Sequence, residues 1–480
     1  MKIDIFTDKE EFSYDIYSLV KAFCPQGDLK VFVKGEEGRN ADTSYSLFEE
    51  EGKLSLYKDS ELINSEDLAS GLDRGKLKNL VKKVIYKGLS GLFGPLPWGD
   101  LTGIRPTKIA RLLKEEEKSD EEVLSYMKEN YFVSDEKSGL ALDIAKRELE
   151  ILKPLRKGLG YSLYIGIPFC PTTCLYCSFT SNSIAMWKKK VNLYLDALKK
   201  EISFVADALK DKILDTVYIG GGTPTTLEAS ELDDLLSFLE SKLDLSGILE
   251  FTVEAGRADS ITIEKLEVLK RHHVTRISVN PQTMNQSTLD LIGRHHTVED
   301  VIRAFNDARS LGFNNINMDI ILGLPGEGEA EVKKTIDDIV KLNPDSLTVH
   351  SLAVKRGSRM HERIIEKGYE PMVNTDGTMT IAGDGAKRLN MVPYYLYRQK
   401  NMAGNFENVG YAKEGCFGIY NILIMEDVEP IVALGPGSVS KVITKEGTLE
   451  RCDNVKDVAL YIEKIDEMIE RKRQLFALWS

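Results

Sequence analysis

The hydrophobic pattern of the chain changes near residue 160, where short apolar segments begin to alternate with amphipathic ones. Six apolar segments follow, each typical of a buried strand: SLYIGIPF, DTVYIGGG, LEFTVEA, RISVNPQ, NINMDIILGLP and DSLTVHSL. The segments between them, such as VNLYLDALKKEISFVADAL, carry apolar residues at helical spacing. This alternation predicts βαβ units and a parallel sheet, either open and doubly wound or an incomplete barrel.

Two regions with a different pattern flank this repeat. Residues 1–155 contain short alternating segments such as KIDIFT and a long helical segment, which together predict a separate α+β domain. Beyond residue 360, the segments CFGIYNILIMED and PIVALGPGSVSKVI predict strands and glycine-rich turns before a final helix. We therefore expect three domains: 1–155, a barrel over 156–360, and an α+β extension over 361–480 that covers the barrel mouth and substrate site.

Charge and composition exclude several classes of protein. The net charge of −12 argues against a general nucleic-acid binder, which would present a basic surface. The first residues, MKIDIFTDKEEF, lack the apolar stretch of a signal peptide. No apolar run is long enough to cross a bilayer. We expect a cytoplasmic protein that binds neither nucleic acid nor membrane.

Three of the six cysteines lie in one loop, YIGIPFCPTTCLYCSF, as Cys170, Cys174 and Cys177. A structural zinc site needs four ligands, and a fourth could come from Cys416, Cys452 or a distant histidine. A four-iron cluster held by three thiolates would instead leave one iron open for a ligand. Three buried cysteines that act only as small apolar residues are disfavoured, because this loop is polar and rich in proline. Both metal interpretations stay open on spacing alone.

Polar residues also stand at or near the ends of the other predicted strands. Gly220–Gly222 closes the second strand, Glu254 ends the third, and Asn280 and Gln282 follow the fourth. Asp319 lies among apolar neighbours in the fifth strand, where a carboxylate needs a partner. Because the carboxyl ends of parallel strands meet at one edge, we expect these residues to form a single site.

Taken singly, each of these residues also has a structural explanation. Gly220–Gly222 could be a tight turn, and Glu254, Arg294 or Asp319 could be a surface residue or a helix cap. Together the charged residues could hold a ligand that carries an amine, a carboxylate and ribose hydroxyls. We expect His295 and His296 to lie mostly at the surface or behind the residues that touch the ligand.

The cysteine loop resembles the cluster loop of radical S-adenosylmethionine (SAM) enzymes, in which three cysteines bind a [4Fe-4S] cluster. GIPFC, GGGTPT, RISVNPQTMNQSTLDLIGR and MDIILGLPGE resemble the oxygen-independent coproporphyrinogen III oxidase family. The N-terminal extension, LTGIRPTKIA and PYYLYRQKNMAGNFENVGYA are similar to its HemZ-type coproporphyrinogen dehydrogenase branch. The resemblance covers essentially the whole chain. It implies an α/β fold with a partial (β/α)6 radical SAM barrel.

The resemblance also implies roles for the matching residues. Cys170, Cys174 and Cys177 would ligate the cluster, whose open iron binds the amino and carboxylate groups of SAM. Tyr164 would lie over the sulfonium and is the candidate catalytic residue. The other residues implied to bind SAM are Gly221, Gly222 and Thr223 for the amino group, Glu254 and Gln282 for polar groups, Arg294 for the carboxylate, and Asp319 for the ribose or adenosine.

The implied reaction belongs to haem biosynthesis. Reductive cleavage of SAM gives methionine and a 5′-deoxyadenosyl radical, which removes hydrogen from a propionate of coproporphyrinogen III. Loss of carbon dioxide and an electron leaves a vinyl group, so that protoporphyrinogen IX results. The implied partners are a tetrapyrrole substrate and an electron donor such as flavodoxin or ferredoxin. The basic residues that could bind propionates are Lys355, Arg356, Arg359, Arg398 and Lys400.

Two positions depart from the bacterial oxidase of this family. Gly166 replaces a histidine, and Phe179 replaces an additional cysteine that follows the third cluster ligand. Both changes also occur in relatives that are not oxidases. Two alternatives therefore stay open: a haem-binding chaperone of the same family, and another radical SAM reaction on a tetrapyrrole, either methyl transfer or ring opening.

Overall fold

The chain separates into two units, and the computed structural model describes residues 1–25, 27–178, 181–355, 357–367, 372–399 and 406–479. The first unit comprises Met1–Lys146 with Tyr397–Asn401, and the second comprises Arg147–Leu396 with Met402–Ser480. Phe179, Arg356 and Lys400 lie outside the described residues. The domain boundaries expected near residues 155 and 360 stay predictions.

The first unit is built on a five-stranded sheet in the order β2-β1-β3-β4-β5. Its strands are β1 Lys2–Thr7, β2 Asp28–Val33, β3 Thr43–Glu50, β4 Lys53–Lys58 and β5 Glu61–Asp67. Strand β1 is parallel to both of its neighbours, and the remaining pairs are antiparallel. The helices that begin in this part of the chain are α1 Ser13–Phe23, α2 Arg74–Phe93, α3 Thr107–Glu115, α4 Asp120–Tyr131 and α5 Asp135–Ile151. Apolar residues of α1 and α2 pack with those of the sheet to form the core.

The second unit contains an eleven-stranded sheet whose centre is six parallel strands. These strands are β6 Gly160–Ile167, β9 Ile213–Gly221, β10 Glu250–Glu254, β11 Arg276–Ser278, β12 Ile316–Leu322 and β13 Ser346–Ser351. A separate short pair, β7 Phe169–Cys170 and β8 Asn182–Ser183, lies in the segment after β6. All six predicted strands are confirmed, and neighbours in sequence are neighbours in the sheet. The α/β class and the partial barrel are therefore confirmed.

Helices connect the parallel strands and cover the sheet. They are α6 Ile184–Trp187, α7 Val191–Ala208, α8 Ala229–Lys242, α9 Ile263–Arg271, α10 Gln286–Leu291, α11 Val298–Ser310 and α12 Glu329–Leu342, followed by α13 Arg359–Lys367 and α14 Asp376–Arg388. Their apolar faces and the strands form one continuous core. Within the described part of the chain, none of the helices is long and apolar enough to cross a membrane.

The C-terminal part extends the sheet at both edges. Its elements are β14 Val392–Tyr397, β15 Asn408–Ala412, α15 Ile419–Glu426, β16 Ile431–Leu434, β17 Val439–Ile443, β18 Leu449–Asp453, α16 Val458–Glu463 and α17 Ile465–Phe476. Strand β15 pairs antiparallel with β13, and β16 pairs parallel with β6. The strands predicted in PIVALGPGSVSKVI are confirmed as β16 and β17.

The strand predicted in CFGIYNILIMED is wrong, because Ile419–Glu426 forms helix α15. A short apolar run fits a buried helix and a buried strand equally well, so periodicity cannot distinguish them. Contacts with the rest of the fold determine that this segment is a helix. The carboxylate of Glu250, at the start of β10, accepts a hydrogen bond from the backbone N–H of Ile419 and so satisfies the beginning of the helix.

The carboxyl groups of Glu429 and Asp215 lie close together near the amino ends of β6 and β9. Burial and a hydrogen bond to Asp215 raise the pKa of Glu429 well above its ordinary value of 4.5. Ser162 Oγ donates to Glu429 Oε1 over 2.9 Å, while Arg156 pairs with Asp215. The folded protein therefore keeps a proton that the unfolded chain releases once the pH exceeds 4.5. Stability contributed by this group is complete at low pH and is lost as the pH rises toward the raised pKa.

We expect Glu429→Gln to remove this pH dependence. The amide can still donate to Asp215, and it carries no proton to lose. The variant should be more stable than wild type in alkaline buffer, with a gap that grows by on the order of 1 kcal/mol per pH unit. Thermal unfolding at several pH values measures this gap. Parallel curves for the two proteins would contradict the prediction.

Candidate active site

The three cysteines of the loop after β6 lie near the carboxyl edge of the parallel sheet. Cys170 ends β7, and the hydroxyl of Thr223 donates to its Sγ over 3.4 Å. Cys174 is buried, and its carbonyl accepts from the backbone N–H of Cys177 over 3.2 Å. Burial raises the pKa of the Cys170 thiol, and the Thr223 hydrogen bond opposes that rise. Metal binding at Cys170 would therefore release a proton.

The geometry bears on the choice between zinc and an iron–sulfur cluster. Cys416 lies 3.9 Å from the Asn314 carbonyl, and Cys452 lies in β18 opposite Ser440, so the structure brings neither to the loop. Among the described residues, no three His, Cys, Asp or Glu side chains converge on a point that could hold one metal ion. A zinc site needs such convergence, whereas each thiolate of a four-iron cluster binds an iron of its own.

The side chain of Arg257 is hydrogen-bonded to the cysteine loop at Thr172. Its Nη1 donates to both the carbonyl and the hydroxyl oxygen of Thr172, each over 2.9 Å. Its Nε and Nη2 donate to the two carboxylate oxygens of Asp259, over 2.9 and 2.6 Å. His296, which is buried, lies 3.9 Å from Asp259. The loop is therefore held by a buried guanidinium, which a bidentate ion pair with the partly exposed Asp259 keeps in place.

A second buried guanidinium, Arg294, approaches the loop from the segment after β11. Its Nη2 donates to the carbonyls of Gly256 and Asn280, over 3.0 and 2.6 Å, and its Nη1 donates to the hydroxyl of Tyr176 over 3.2 Å. Its Nε is buried and has no hydrogen-bond partner among the described residues. Arg294 thus links the segments after β10 and β11 to the cysteine loop by hydrogen bonds. Its Nε–H is available to donate to a ligand.

The glycine turn after β9 packs directly against the cysteine loop. The N–H of Gly222 donates to the carbonyl of Ile167, and that of Thr223 donates to the carbonyl of Phe169, both over 2.7 Å. A Cβ atom on Gly222 would lie 2.5 Å from the Phe169 oxygen. Gly221 has a φ of +104°, a conformation that L side chains rarely adopt. Glycine is therefore required here for both approach and conformation.

Three tyrosine rings line the barrel interior next to Glu254. Tyr164 stacks with Tyr218 and with Tyr420 of α15, at ring-centre distances of 6.2 and 6.3 Å. The hydroxyl of Tyr218 donates to the carboxylate of Glu254. Burial raises the pKa of Glu254 to about 7, with the Tyr218 hydrogen bond opposing this rise and the nearby Asp319 charge adding to it. Burial also raises the pKa of Tyr164, which keeps its phenol protonated.

Asp319 and Gln282 complete the site on neighbouring strands. Asn317 donates to Asp319 Oδ1 over 2.7 Å, and His350 lies 3.7 Å from Oδ2. Burial opposes ionisation of Asp319, but the contacts with His350 and Asn317 hold its pKa below the ordinary value. Gln282 has a φ of +67°, and its Oε1 is buried with no hydrogen-bond partner in the part of the chain that the structure describes. A side chain held in a strained backbone with an unused acceptor is typical of a binding site.

Comparison with known proteins places these residues in a family. The model of the radical SAM superfamily matches residues 164–339. The chain is 43% identical to the oxygen-independent coproporphyrinogen-III oxidase-like protein HemZ of Bacillus subtilis (strain 168), over 84% of this chain and 82% of that protein. The chain belongs to the radical SAM superfamily, in its HemZ-like branch. This membership implies a [4Fe-4S] cluster and SAM as cofactors.

Two further relatives match a smaller share of the chain. The chain is 38% identical to the heme chaperone HemW of Bacillus subtilis, over 40% of this chain and 51% of that protein. It is 30% identical to the oxygen-independent coproporphyrinogen III oxidase of Escherichia coli (strain K12), over 40% of this chain and 42% of that protein. The crystal structure of Escherichia coli coproporphyrinogen III oxidase (HemN) superposes with a TM-score of 0.53 at 20% identity, over 69% of this chain and 78% of that one. The similarity to this structure shows a shared fold.

The residues present fit both radical SAM cofactors. The cysteine loop supplies three thiols, and the close-packed glycine turn lies against it. Gln282 Oε1 and Arg294 Nε are buried polar atoms that lack a protein partner, which is the condition expected beside an absent polar ligand. The structure brings to one edge all the site residues expected from sequence. Their individual roles stay predictions.

Sequence reasoning missed several residues of this site. Arg257 stands three residues after Glu254, so a closer look at the end of the third strand would have found it. Tyr218 and His350 lie in predicted strands, where an aromatic or histidine side chain is ordinarily structural. Tyr420 gave no signal, because its segment was assigned to a strand far along the chain.

The raised pKa of Glu254 leads us to expect a pH dependence of SAM binding. Its carboxyl ionises only as the pH passes about 7. In the role that the family resemblance implies for Glu254, the carboxylate would attract the cationic groups of SAM. We expect the affinity for SAM to increase by roughly tenfold as the pH rises through that value. Isothermal titration under anaerobic conditions measures the change. Glu254→Gln should flatten it, whereas Glu267→Gln, at an exposed position of α9, should not. If Glu254→Gln kept the same pH dependence of SAM affinity, a group other than Glu254 would be responsible for it.

Proposed function

We propose that this chain is a radical SAM enzyme that converts coproporphyrinogen III to protoporphyrinogen IX by oxidative decarboxylation. The observation that carries the proposal is the 43% identity to the oxidase-like protein HemZ over 84% of this chain, well beyond the radical SAM segment itself. A match of this extent includes much of the regions that flank the barrel. The substrate is therefore inferred from the whole chain rather than from the cofactor site.

Each part of the site has a proposed task. Cys170, Cys174 and Cys177 would hold the cluster and leave one iron for SAM. When bound, the reduced cluster supplies the electron that cleaves SAM to methionine and the 5′-deoxyadenosyl radical. The glycine turn presents backbone to the SAM amino group without steric hindrance. Tyr164, stacked on two further rings, presents a rigid apolar face to the sulfonium and excludes water from it.

The polar residues orient the rest of SAM in this proposal. Asp319, held by Asn317 and His350, is a fixed acceptor for the ribose hydroxyls. Gln282 offers an unused acceptor, and Arg294 offers an unused donor for the carboxylate. Because Asp319 lies in β12 and Arg294 is hydrogen-bonded to the carbonyl of Asn280, these groups are positioned before the ligand arrives, which lowers the entropic cost of binding.

Basic residues near the end of the parallel strands are the proposed contacts for propionates. Lys355 and Arg359 follow the last parallel strand, and Arg359 begins α13. Arg398 belongs to the first unit, where its Nη1 donates to the Leu101 carbonyl over 2.6 Å. Its guanidinium is therefore partly engaged within the first unit.

The reaction is tested with the reconstituted protein under anaerobic conditions. SAM, a low-potential reductant and coproporphyrinogen III are supplied, and products are identified by mass spectrometry. The proposal predicts stepwise replacement of propionate by vinyl groups with formation of 5′-deoxyadenosine. Formation of 5′-deoxyadenosine without a vinyl product would reject this substrate while leaving the cofactor assignment intact. A methylated or ring-opened product would point to the other radical SAM reactions.

A second candidate, haem binding or delivery, is favoured by two observations. Over about the same share of the chain, identity to the heme chaperone HemW is 38%, against 30% for the Escherichia coli oxidase. A Cβ atom on Gly166, where the oxidase has histidine, would lie only 3.3 Å from both the Leu434 carbonyl and the Tyr164 ring. Histidine would thus require its neighbours to shift. Stoichiometric haem binding without turnover would favour this candidate over the oxidase.

A further inference from the structure

Two buried guanidinium groups converge on one cysteine of the loop. Arg257 Nη1 lies 3.7 Å from Cys174 Sγ, and Arg294 Nη1 lies 3.9 Å from the same atom. Both arginine residues are at most 4% exposed. Cys170, in contrast, accepts a hydrogen bond from the neutral hydroxyl of Thr223. Two guanidinium groups, one of them paired with Asp259, therefore lie beside the Cys174 sulfur.

Hydrogen bonds fix both the position and the orientation of the Arg257 guanidinium. All three of its guanidinium nitrogens are in use, two on Asp259 and one on Thr172 and Cys174. Only a planar guanidinium can make a bidentate ion pair and reach the loop with its third nitrogen. Thr172 lies within the loop itself, between Cys170 and Cys174. Arg257 thus controls both the path of the loop and the charge beside one sulfur.

Arg257 can be studied separately from the binding of SAM. Arg294 also contacts Tyr176, Gly256 and Asn280, and it is the proposed partner of the SAM carboxylate. The hydrogen bonds found for Arg257 go to the cysteine loop and to Asp259. A change at Arg257 therefore reports on the cluster rather than on the bound ligand.

We propose that Arg257 is a positioning residue of the cluster, which fixes the loop through Thr172 and makes the cluster easier to reduce through Cys174. In the step concerned, a low-potential donor loses one electron and the cluster gains it, so the cluster becomes more negative by one charge. A fixed positive charge in a buried site stabilises the more negative state. The inference rests on the cluster assignment in the proposed function and is independent of the tetrapyrrole.

The test compares Arg257→Met and Arg257→Lys with the wild type. Each protein is reconstituted anaerobically, its iron content is measured, and dithionite reduction is followed by electron paramagnetic resonance at a series of fixed potentials without SAM. For Arg257→Met we expect about a tenfold lower ratio of reduced to oxidised cluster at a given potential, a shift of about 59 mV for one electron. Arg257→Lys, which keeps the charge, should recover part of this shift. Arg303→Met removes a charge from an exposed arginine paired with Asp300 and serves as the control.

The outcomes separate this inference from the proposed function. Wild-type protein that binds no iron would reject the cluster assignment itself. Full iron content and a wild-type potential in both Arg257 variants would overturn the role of Arg257. Iron loss in Arg257→Met that Arg257→Lys restores would support it, provided that Arg303→Met keeps its iron. If circular dichroism showed both variants unfolded, Arg257 would be a residue of the fold and the inference would fail.

Discussion

Replacement of Cys174 by alanine is expected to abolish reductive cleavage of SAM, so that 5′-deoxyadenosine falls to the background of the assay. Cys174 is the most buried of the three loop cysteines and lies beside two guanidinium groups. Without its thiolate the cluster loses one of three protein ligands, and two buried cations lose an anionic neighbour. Leaving charge unpaired in a buried site carries its own cost. We therefore expect both iron content and activity to fall.

The matched controls are the cysteines outside the loop. Cys416→Ala and Cys452→Ala remove a thiol that the structure places away from the site, and each should keep the iron content and cleavage rate of the wild type. Chromatographic measurement of 5′-deoxyadenosine in all four proteins makes the comparison. Sustained production in Cys174→Ala would contradict the cofactor assignment, and loss of iron in Cys452→Ala would reopen the question of a fourth ligand.

Gly222→Ala should have the second largest effect, because the added methyl group would push the glycine turn away from the cysteine loop. Its Cβ would lie 2.5 Å from the Phe169 carbonyl oxygen and 2.9 Å from that of Ile167, and both are backbone atoms that cannot turn aside. The hydrogen bonds from Gly222 and Thr223 to the cysteine loop would lengthen or break. We expect a loss of stability of roughly 1–3 kcal/mol and at least a tenfold weaker affinity for SAM.

Denaturation and SAM titration of reconstituted protein measure these two effects. The control is Gly91→Ala, at a glycine inside α2 around which no atom lies within 4 Å of an added Cβ. That change should be neutral or slightly stabilising, because alanine favours the helix over glycine. Wild-type SAM affinity in Gly222→Ala would show that the contact between the turn and the loop is dispensable.

The parallel core of the fold could be predicted because its strands are buried on both faces. Each predicted segment contains β-branched or aromatic residues and stands between two helical segments, and this regular alternation is a strong local signal. Helix α15 could not be predicted in this way. Its run IYNILIM is apolar except for Asn421. Its conformation depends on Glu250, a residue far away in sequence that accepts a hydrogen bond from the first N–H of the helix. No local pattern contains that information.

The same distinction applies to the site. Glu254, Gln282 and Asp319 could be found because polar residues at the ends of apolar strands are conspicuous in sequence. Tyr420 could not, because it reaches the site only through the packing of α15 against the barrel strands. Its ring centre lies 4.5 Å from that of Tyr218. Residues that depend on contacts between distant segments become visible only in three dimensions.

The pairing of β6 also sets an order of events during protein synthesis. Strand β6, which leads into the cysteine loop, lies between β9 and β16 in the sheet, and β16 comes from Ile431–Leu434. A nascent chain exposes β6 as an open edge until that late segment has left the ribosome. The strand that leads into the cysteine loop therefore gains its second neighbour only after residues 431–434 have been translated.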